Sequence, residues 1–240
     1  MSAATRIHLA QLSWAAAFLA AVLAIGWGLL AGIERQRRTE ESRSLVSQLR
    51  VAEWSRLPDV LAQLGSRPEL WREEVADLAD DPARPPDERL RARVALAQHD
   101  EAGVPALVDD LLTASPQQLR VICRALEPWR GQAVPLLWSK LRDAATGAEG
   151  RLRAACALAQ SDPAGRGWTQ VAPAVAEALT AEKDPLFLAA WTEWLHPVRE
   201  PLLGPVGTIY GNPALSVAQR MVATSVLADL GKGTRSDWRR

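Results

Sequence analysis

One eleven-residue segment of this chain recurs, and the recurrence limits the folds open to it more than any other feature. Leu90–Asp100 reads LRARVALAQHD, and Leu152–Asp162, 62 residues later, reads LRAACALAQSD. Another 69 residues on, Met221–Leu230 reads MVATSVLADL. The same two offsets relate three apolar triads elsewhere: Leu57, Leu119 and Leu188; Val60, Ile122 and Trp191; Leu64, Leu126 and Leu195. Two segments that obey one pair of offsets indicate an internal repeat.

The apolar positions within each copy follow the period of a helix. Leu57, Val60, Leu61 and Leu64 lie at i, i+3, i+4 and i+7, which places them on one helical face. A second apolar stripe follows a short break, as in Val104–Leu112 after Gly103 and in Leu70–Leu78 after Gly65–Pro68. Each long period therefore contains two helical hairpins of roughly 31 to 35 residues. Since one hairpin cannot cover its own apolar face, the sequence predicts an all-α solenoid of antiparallel helix pairs over residues 51–230.

Proline and capping residues mark the expected helix starts. Ser115-Pro116 precedes the apolar stripe of QQLRVICRAL, and Asp184-Pro185 and Asp81-Pro82 repeat the arrangement. A side-chain oxygen followed by a first-turn proline is typical of a helix N-terminus. The three dipeptides predict three helix starts.

Residues 12–33 read LSWAAAFLAAVLAIGWGLLAGI, 22 positions without a formal charge. At about 1.5 Å per helical residue this run spans roughly 33 Å, enough to cross a hydrocarbon core of about 30 Å. It is too long for the apolar region of a secretory signal, so the sequence predicts a retained transmembrane helix. Small residues recur along it every fourth position: Ala16, Ala20, Ala24, Gly28 and Gly32. Such a ridge lets two helices approach closely, and it predicts a homodimer through the membrane helix as an alternative to chance spacing in an alanine-rich segment.

The predicted anchor divides the chain into an N-terminal tail (residues 1–11), the membrane helix (12–33), a charged juxtamembrane helix (34–50), the repeats (51–230) and a C-terminal tail (231–240). Basic residues are more frequent after the membrane segment than before it, where only Arg6 is present. The positive-inside rule therefore favours the cytoplasmic side for the repeats of this single-pass protein.

Charge and cysteine content exclude several classes of function. Residues 34–240 contain 27 of the 28 Lys/Arg and all 28 Asp/Glu, a net charge of minus one, which supplies no field for nucleic acid. Cys123 and Cys156 are the only cysteines, and they form neither a disulfide framework nor a metal motif. Both occupy positions that are apolar in an earlier copy, so we expect small core residues; their redox state stays open.

No group of residues has the spacing of a catalytic, cofactor or metal site. His99-Asp100-Glu101 is the densest set of ligand types, but a zinc ion needs three or four converging ligands. Gly231-Lys232-Gly233-Thr234 lacks the upstream glycine and the strand of a phosphate loop. Adjacent carboxylates diverge on a helix, so Asp80-Asp81 and Asp109-Asp110 are expected on solvated faces. We therefore expect no catalytic residue, no cofactor and no metal.

Tryptophan is unusually frequent for a chain with one tyrosine. Core or edge packing explains most of these residues, and a peptide-binding groove is the alternative. They are Trp54, Trp71, Trp129, Trp138, Trp168, Trp191 and Trp194.

Four segments carry a family resemblance. RLRARVALAQHDEAGVPALVDDLL and GRLRAACALAQSDP resemble HEAT-like repeats, in which a Val-Pro-Ala-Leu element opens the second helix. ALEPWRGQAVPLL (residues 125–137) and LAAWTEWLHPVREPLL (188–203) resemble the helical spacer of planctomycete-type bacterial membrane proteins. In that family the spacer joins a membrane segment to a formylglycine-generating (sulfatase-modifying) domain, often with a serine/threonine kinase across the membrane. The likeness covers about residues 44–230 and carries no catalytic residue onto this chain.

These observations predict a non-enzymatic, membrane-anchored HEAT-like scaffold that binds an unidentified protein partner and no nucleic acid. The resemblance implies an alternative, in which the chain is the truncated anchor and spacer of a larger formylglycine-generating or kinase-linked protein. It also implies that the repeats face the side opposite a kinase, against the positive-inside rule, so the side of the membrane stays open.

Overall fold

The structure, a computed structural model, describes residue 40 and residues 43–65 and 68–232. This part of the chain is helical and contains no strand, which confirms the predicted all-α class there. The helices are α1 (residues 43–51), α2 (Leu57–Leu64), α3 (Arg72–Asp80), α4 (Pro86–Ala97), α5 (Val104–Leu111), α6 (Pro116–Leu126), α7 (Arg130–Arg142), α8 (Gly147–Ser161), α9 (Trp168–Thr180), α10 (Pro185–Leu195), α11 (Arg199–Gly211) and α12 (Val217–Gly231).

Neighbours along the chain are neighbours in space. Helices α2, α4, α6, α8, α10 and α12 contact one another in that order, and on the other side α5 contacts α7 and α9 contacts α11. Consecutive helices also pack together, most extensively α3 with α4, α7 with α8, and α11 with α12. The extended contacts join helices no more than four places apart in chain order.

The 69-residue offset recurs in the coordinates as well as in the sequence. α6 and α10 each have 11 residues, α7 and α11 each have 13, and a three-residue 3₁₀ turn joins each pair, Glu127–Trp129 in one and His196–Val198 in the other. Ile122 and Trp191, which the offset relates, are both fully buried. The two hairpins therefore match in the lengths of both helices and of the turn between them.

α4, α8 and α12 are the three copies of the other segment, and they differ in burial. Val94 of α4 and Cys156 of α8 are fully buried, as are Ala97 and Ala159, which lie three residues before the ends of the two repeated stretches. In α12 the equivalent Ser225 and Ala228 are exposed. Inner copies are covered on both sides by neighbouring helices, whereas α12 is the last helix of the described part and is covered on one side.

Most of the tryptophans pack in the core, and several also donate a hydrogen bond. Trp138 and Trp168 meet edge to face with ring centroids 5.2 Å apart, and their indole N–H groups donate to the Asp162 carboxylate (2.9 Å) and to the Asp162 carbonyl (3.0 Å). Gly165 lies so close that a Cβ there would stand 2.7 Å from the Trp138 ring. A buried indole thus fixes the α8–α9 connection by packing and by polar contacts together.

Two arginines one repeat apart, Arg91 and Arg153, link successive units. Each side chain is 12% exposed and pairs with the carboxylate four residues earlier. Arg91 also donates to the carbonyl of Arg50 at the end of α1 (3.0 Å), and Arg153 donates to the carbonyl of Ala114 ahead of α6 (2.7 Å). Since a buried guanidinium needs several acceptors, these contacts fix how one unit sits on the next.

Two of the three predicted helix starts are found, and the third is wrong. Ser115 and Asp184 cap α6 and α10, each with proline at the first helical position. Asp81-Pro82 opens no helix, because the Asp81 carboxylate accepts the Ala83 N–H (2.9 Å) and closes a turn. α4 begins only at Pro86, where a second proline pair supplies the first-turn residue.

The predicted membrane helix (residues 12–33), with Ala16, Ala20, Ala24, Gly28 and Gly32, lies outside the described residues, as do the 1–11 tail and all but the first two residues of the 231–240 tail. Within the described residues, every helix is too short or too polar to cross a bilayer. Of the predicted juxtamembrane stretch, residues 43–50 are helical and continue to residue 51.

Candidate functional site

A cavity of about 500 Å³ lies where α6, α7, α8 and α10 converge. This volume falls within the range of ligand pockets in proteins. α6 and α10, which are equivalent helices of successive repeat copies, contact each other beside α8 here. The cavity is lined by Arg120, Cys123, Arg124, Leu126, Glu127, Arg130, Ala133, Val134, Leu137, Ala157, Gln160, Ser161, Glu193 and Trp194.

Local sequence fixes the two helices that form one wall. Ser115 and Gln118 form a capping box, in which the Gln118 side chain accepts the Ser115 N–H (2.8 Å) and the Ser115 hydroxyl accepts the Gln118 N–H. Pro128 lies in the turn that ends α6 and redirects the chain into α7. α6 and α7 thus diverge from a tight turn, and the side chains next to that turn line the cavity.

The floor of the cavity is apolar and buried. Leu126, Ala133, Leu137, Ala157 and Trp194 are each at most 8% exposed and belong to the common core. Gln160 of α8 donates its side-chain N–H to the Trp194 carbonyl at the end of α10, 2.7 Å away. This hydrogen bond ties two walls together across the repeat boundary.

Charged side chains surround the opening. Arg120, Arg124, Glu127, Arg130 and Glu193 are all exposed. None of the five makes an ion pair with another described residue, although Glu127 is three residues from both Arg124 and Arg130. The rim therefore has one positive charge in excess, and its charges are open to a ligand.

Both cysteines pack in the core as the sequence predicts: Cys156 is fully buried, and Cys123 is half-buried against the core and lines the cavity. Burial among the four helices raises the pKa of the Cys123 thiol to about 12. Burial, followed by the neighbouring Cys123, also raises the pKa of Cys156. Both thiols are protonated at neutral pH, and since the thiolate is the nucleophile, the cavity has no activated nucleophile in Cys123.

The other sequence candidates lie away from the cavity and make structural contacts. Asp100 caps the 3₁₀ turn Glu101–Gly103, and its pKa is lowered chiefly by the hydrogen bond from the Ala102 N–H, with a further contribution from Arg72. His99 is exposed and packs beside the Trp71 ring. The described residues contain no group of His, Cys, Asp and Glu that could hold a metal ion.

One of the two paired carboxylates, Asp109-Asp110, connects helices and is not merely solvated. Asp110 accepts two hydrogen bonds from one guanidinium nitrogen of Arg93 on α4, at 2.8 and 2.9 Å, and Asp109 pairs with Lys140 on α7 at 2.7 Å. Asp80 is exposed, and Asp81 pairs with Arg84 in the turn before α4. Periodicity places Asp109 and Asp110 on the outer side of α5, but only the packing of α4 and α7 brings cations to them.

The cavity residues were not singled out from the sequence, apart from Cys123 and Trp194. Arg120 and Arg124 resemble any solvent-facing pair on an amphipathic helix. The one available signal was a break in the repeat, since the 69-residue offset relates Arg120 to Ala189 and Arg124 to Glu193. Positions that differ between two otherwise equivalent helices are candidates for function rather than for packing.

No family model, no curated protein and no solved structure matches this chain.

Proposed function

We propose that this protein is a non-enzymatic, membrane-anchored scaffold of HEAT-like repeats that docks a partner protein in the cavity between α6, α7, α8 and α10. The observation that carries the proposal is the cavity itself, which has an apolar floor below a rim of charged side chains without ion-pair partners. An apolar pocket with a few polar groups at its edge is the usual form of a binding site.

The solenoid form is supported by the contacts of each helix with its neighbours in the chain and by two hairpins of equal helix and turn lengths. α6–α7 and α10–α11 have equal lengths and equal turns, and each helix packs against close neighbours in the chain. Stacked hairpins of this kind present extended surfaces on which partner proteins dock. Membrane anchoring is supported by residues 12–33, which form an uncharged apolar run of spanning length.

Site-specific photocrosslinking tests the docking site. A benzophenone amino acid replaces Val134, which lines the cavity, and in the control it replaces Leu203, the equivalent half-buried residue of α11. Irradiation of cells that express the full chain is expected to yield a discrete heavier adduct from position 134 and none from position 203. Equal labelling from both positions, or no adduct from position 134, would contradict docking in this cavity.

Cell fractionation tests the anchor. The full chain is expected in the membrane pellet after a carbonate wash at high pH, because an apolar run of this length partitions into the bilayer. A chain that begins at residue 34 is expected in the supernatant. Recovery of the full chain in the supernatant would contradict membrane anchoring while leaving the docking proposal intact.

A further inference from the structure

Charge and shape together point to the chemistry of the partner. We infer that the cavity binds an acidic peptide segment, in which an apolar side chain enters the cavity and neighbouring Asp or Glu side chains meet the arginines of the rim. This inference rests on the proposed docking function and assigns the class of partner.

The arginines supply the first part of the evidence. Arg120 and Arg124 lie one helical turn apart on α6, so their side chains emerge from the same face. Arg130 begins α7, just across the turn. None of the three has an ion-pair partner among the described residues, whereas Arg93 has Asp110 at 2.8 Å and Arg50 has Glu88 at 2.9 Å. The rim of the cavity thus contains three guanidinium groups that form no ion pair with the described residues.

Guanidinium groups favour carboxylates as ligands. Their planar arrangement of N–H donors matches the two oxygens of a carboxylate, and such charge-assisted hydrogen bonds are stronger than neutral ones. Glu127 and Glu193 also line the rim, which leaves a net charge of plus one. One or two ligand carboxylates complement this balance, whereas the repeated phosphates of a nucleic acid would meet both glutamates.

The floor supplies the second part of the evidence. Ala133 and Ala157 are small, and with Leu126 and Leu137 they leave an apolar space above buried core atoms. Filling such a space with an apolar side chain removes that surface from water. A purely polar ligand would gain nothing from the floor, and a purely apolar ligand would leave the arginines unpaired. An acidic peptide with one apolar anchor satisfies both surfaces.

Selection from a phage-displayed library of random twelve-residue peptides tests the inference. The bait is the full chain in detergent micelles, and the selected peptides are then synthesised with a fluorophore for anisotropy titration. We expect the pool to be enriched in Asp and Glu next to Leu, Ile or Phe. Against the double variant Arg120→Glu/Arg124→Glu, the selected peptides are expected to bind at least tenfold more weakly.

Matched variants separate the site from general charge effects. Arg56→Glu/Arg166→Glu makes the same change of net charge at two exposed arginines outside the cavity, and it is expected to leave the affinity within about twofold. Arg120→Gln/Arg124→Gln removes the cations without reversing the charge and is expected to give an intermediate loss. Circular dichroism of each variant checks that the helical content is retained.

Val134→Trp places a large side chain in the cavity. This variant distinguishes failure of the acidic-peptide inference from failure of the docking function. Selected peptides without acidic enrichment that are nonetheless lost with Val134→Trp overturn the acidic-peptide inference and leave the docking function standing. Peptides that bind Val134→Trp and wild type alike overturn docking at this cavity, and the inference with it. A library that yields no binding peptide, or an affinity unchanged in Arg120→Glu/Arg124→Glu, also overturns the inference.

Discussion

Cys123 illustrates how one repeat position takes different roles in different copies. The offsets relate it to Leu61, which is buried in the core, and to Thr192, which is buried and donates its hydroxyl to the Leu188 carbonyl at 2.8 Å. At Cys123 the surrounding helices leave a cavity beside the side chain. The surrounding helices nevertheless desolvate the thiol, and this desolvation raises its pKa and keeps it protonated.

The raised pKa of Cys123 makes a prediction about stability at high pH. With a folded pKa of about 12, the thiol keeps its proton in the native state while the unfolded chain deprotonates at ordinary thiol pKa values. The contribution of the buried thiol to the free energy of unfolding is therefore complete below the pKa of the thiol in the unfolded chain. It is lost as pH rises towards the pKa of the thiol in the folded protein. Between pH 8 and pH 10 the wild type is expected to lose about 1 kcal/mol more of its free energy of unfolding than Cys123→Ala does.

Urea unfolding followed at 222 nm at the two pH values measures this difference. Ser139→Ala, an exposed substitution on α7 that removes no titrating group, serves as the control and should lose as much as the wild type. A Cys123→Ala chain with the same alkaline loss as the wild type would show that the thiol is solvated.

At the scale of single helices, local chemistry sets most boundaries. The dipeptides Ser115-Pro116 and Asp184-Pro185 predicted two helix starts from sequence alone, because an N-cap side chain bonds only to backbone groups two or three residues away. Asp81-Pro82 failed because the same carboxylate chemistry also closes a short turn. The helix begins instead at the later pair Pro85-Pro86, whose second proline is the first residue of α4.

The two matched caps predict equal costs in equivalent units. Ser115→Ala removes the acceptor of the α6 capping box, and Asp184→Ala removes the acceptor for the Leu186 N–H at 2.8 Å in α10. Each substitution is expected to lower the free energy of unfolding by about 1 kcal/mol. Ser139→Ala inside α7 is the matched control, and it is expected to raise it by a few tenths of a kcal/mol because alanine has the higher helix propensity.

Denaturant midpoints of the three variants provide the measurement. Loss of stability from Ser139→Ala together with none from Ser115→Ala or Asp184→Ala would contradict the assignment of the caps.

For the whole molecule, the repeat makes a prediction about deletion. Removal of residues 116–184 joins Ser115 directly to Pro185, which restores a cap followed by a first-turn proline and keeps the 69-residue register. Because α10 then occupies the place of α6, we expect a shorter chain that remains helical and unfolds cooperatively. Its stability should be lower, since fewer interfaces remain.

A deletion that breaks the register is the control. Removal of residues 119–189 joins Gln118 to Ala190 and advances the α10 sequence by two positions, which rotates its apolar stripe by about 200°. This chain is expected to lose cooperative unfolding in thermal denaturation monitored by circular dichroism. Equal behaviour of the two deletions would mean that the copies are not interchangeable units.

The sequence by itself determined the helical class, the repeat offsets and the buried stripes such as Leu119, Ile122 and Leu126. These features follow from interactions within a few residues, or from the 3.6-residue period of a helix, and so they can be worked out from spacing alone. The uncharged segment of membrane-spanning length at residues 12–33 remains a prediction of the same kind.

Only the tertiary structure decided which faces are covered and where space is left. Arg91 and Arg153 gain backbone acceptors from neighbouring units, Ser225 lies on an uncovered face, and the cavity forms between α6 and α10 of different copies. Each of these depends on how far apart two helices settle when their side chains pack. That distance is set by both surfaces together, and therefore no single stretch of sequence contains it.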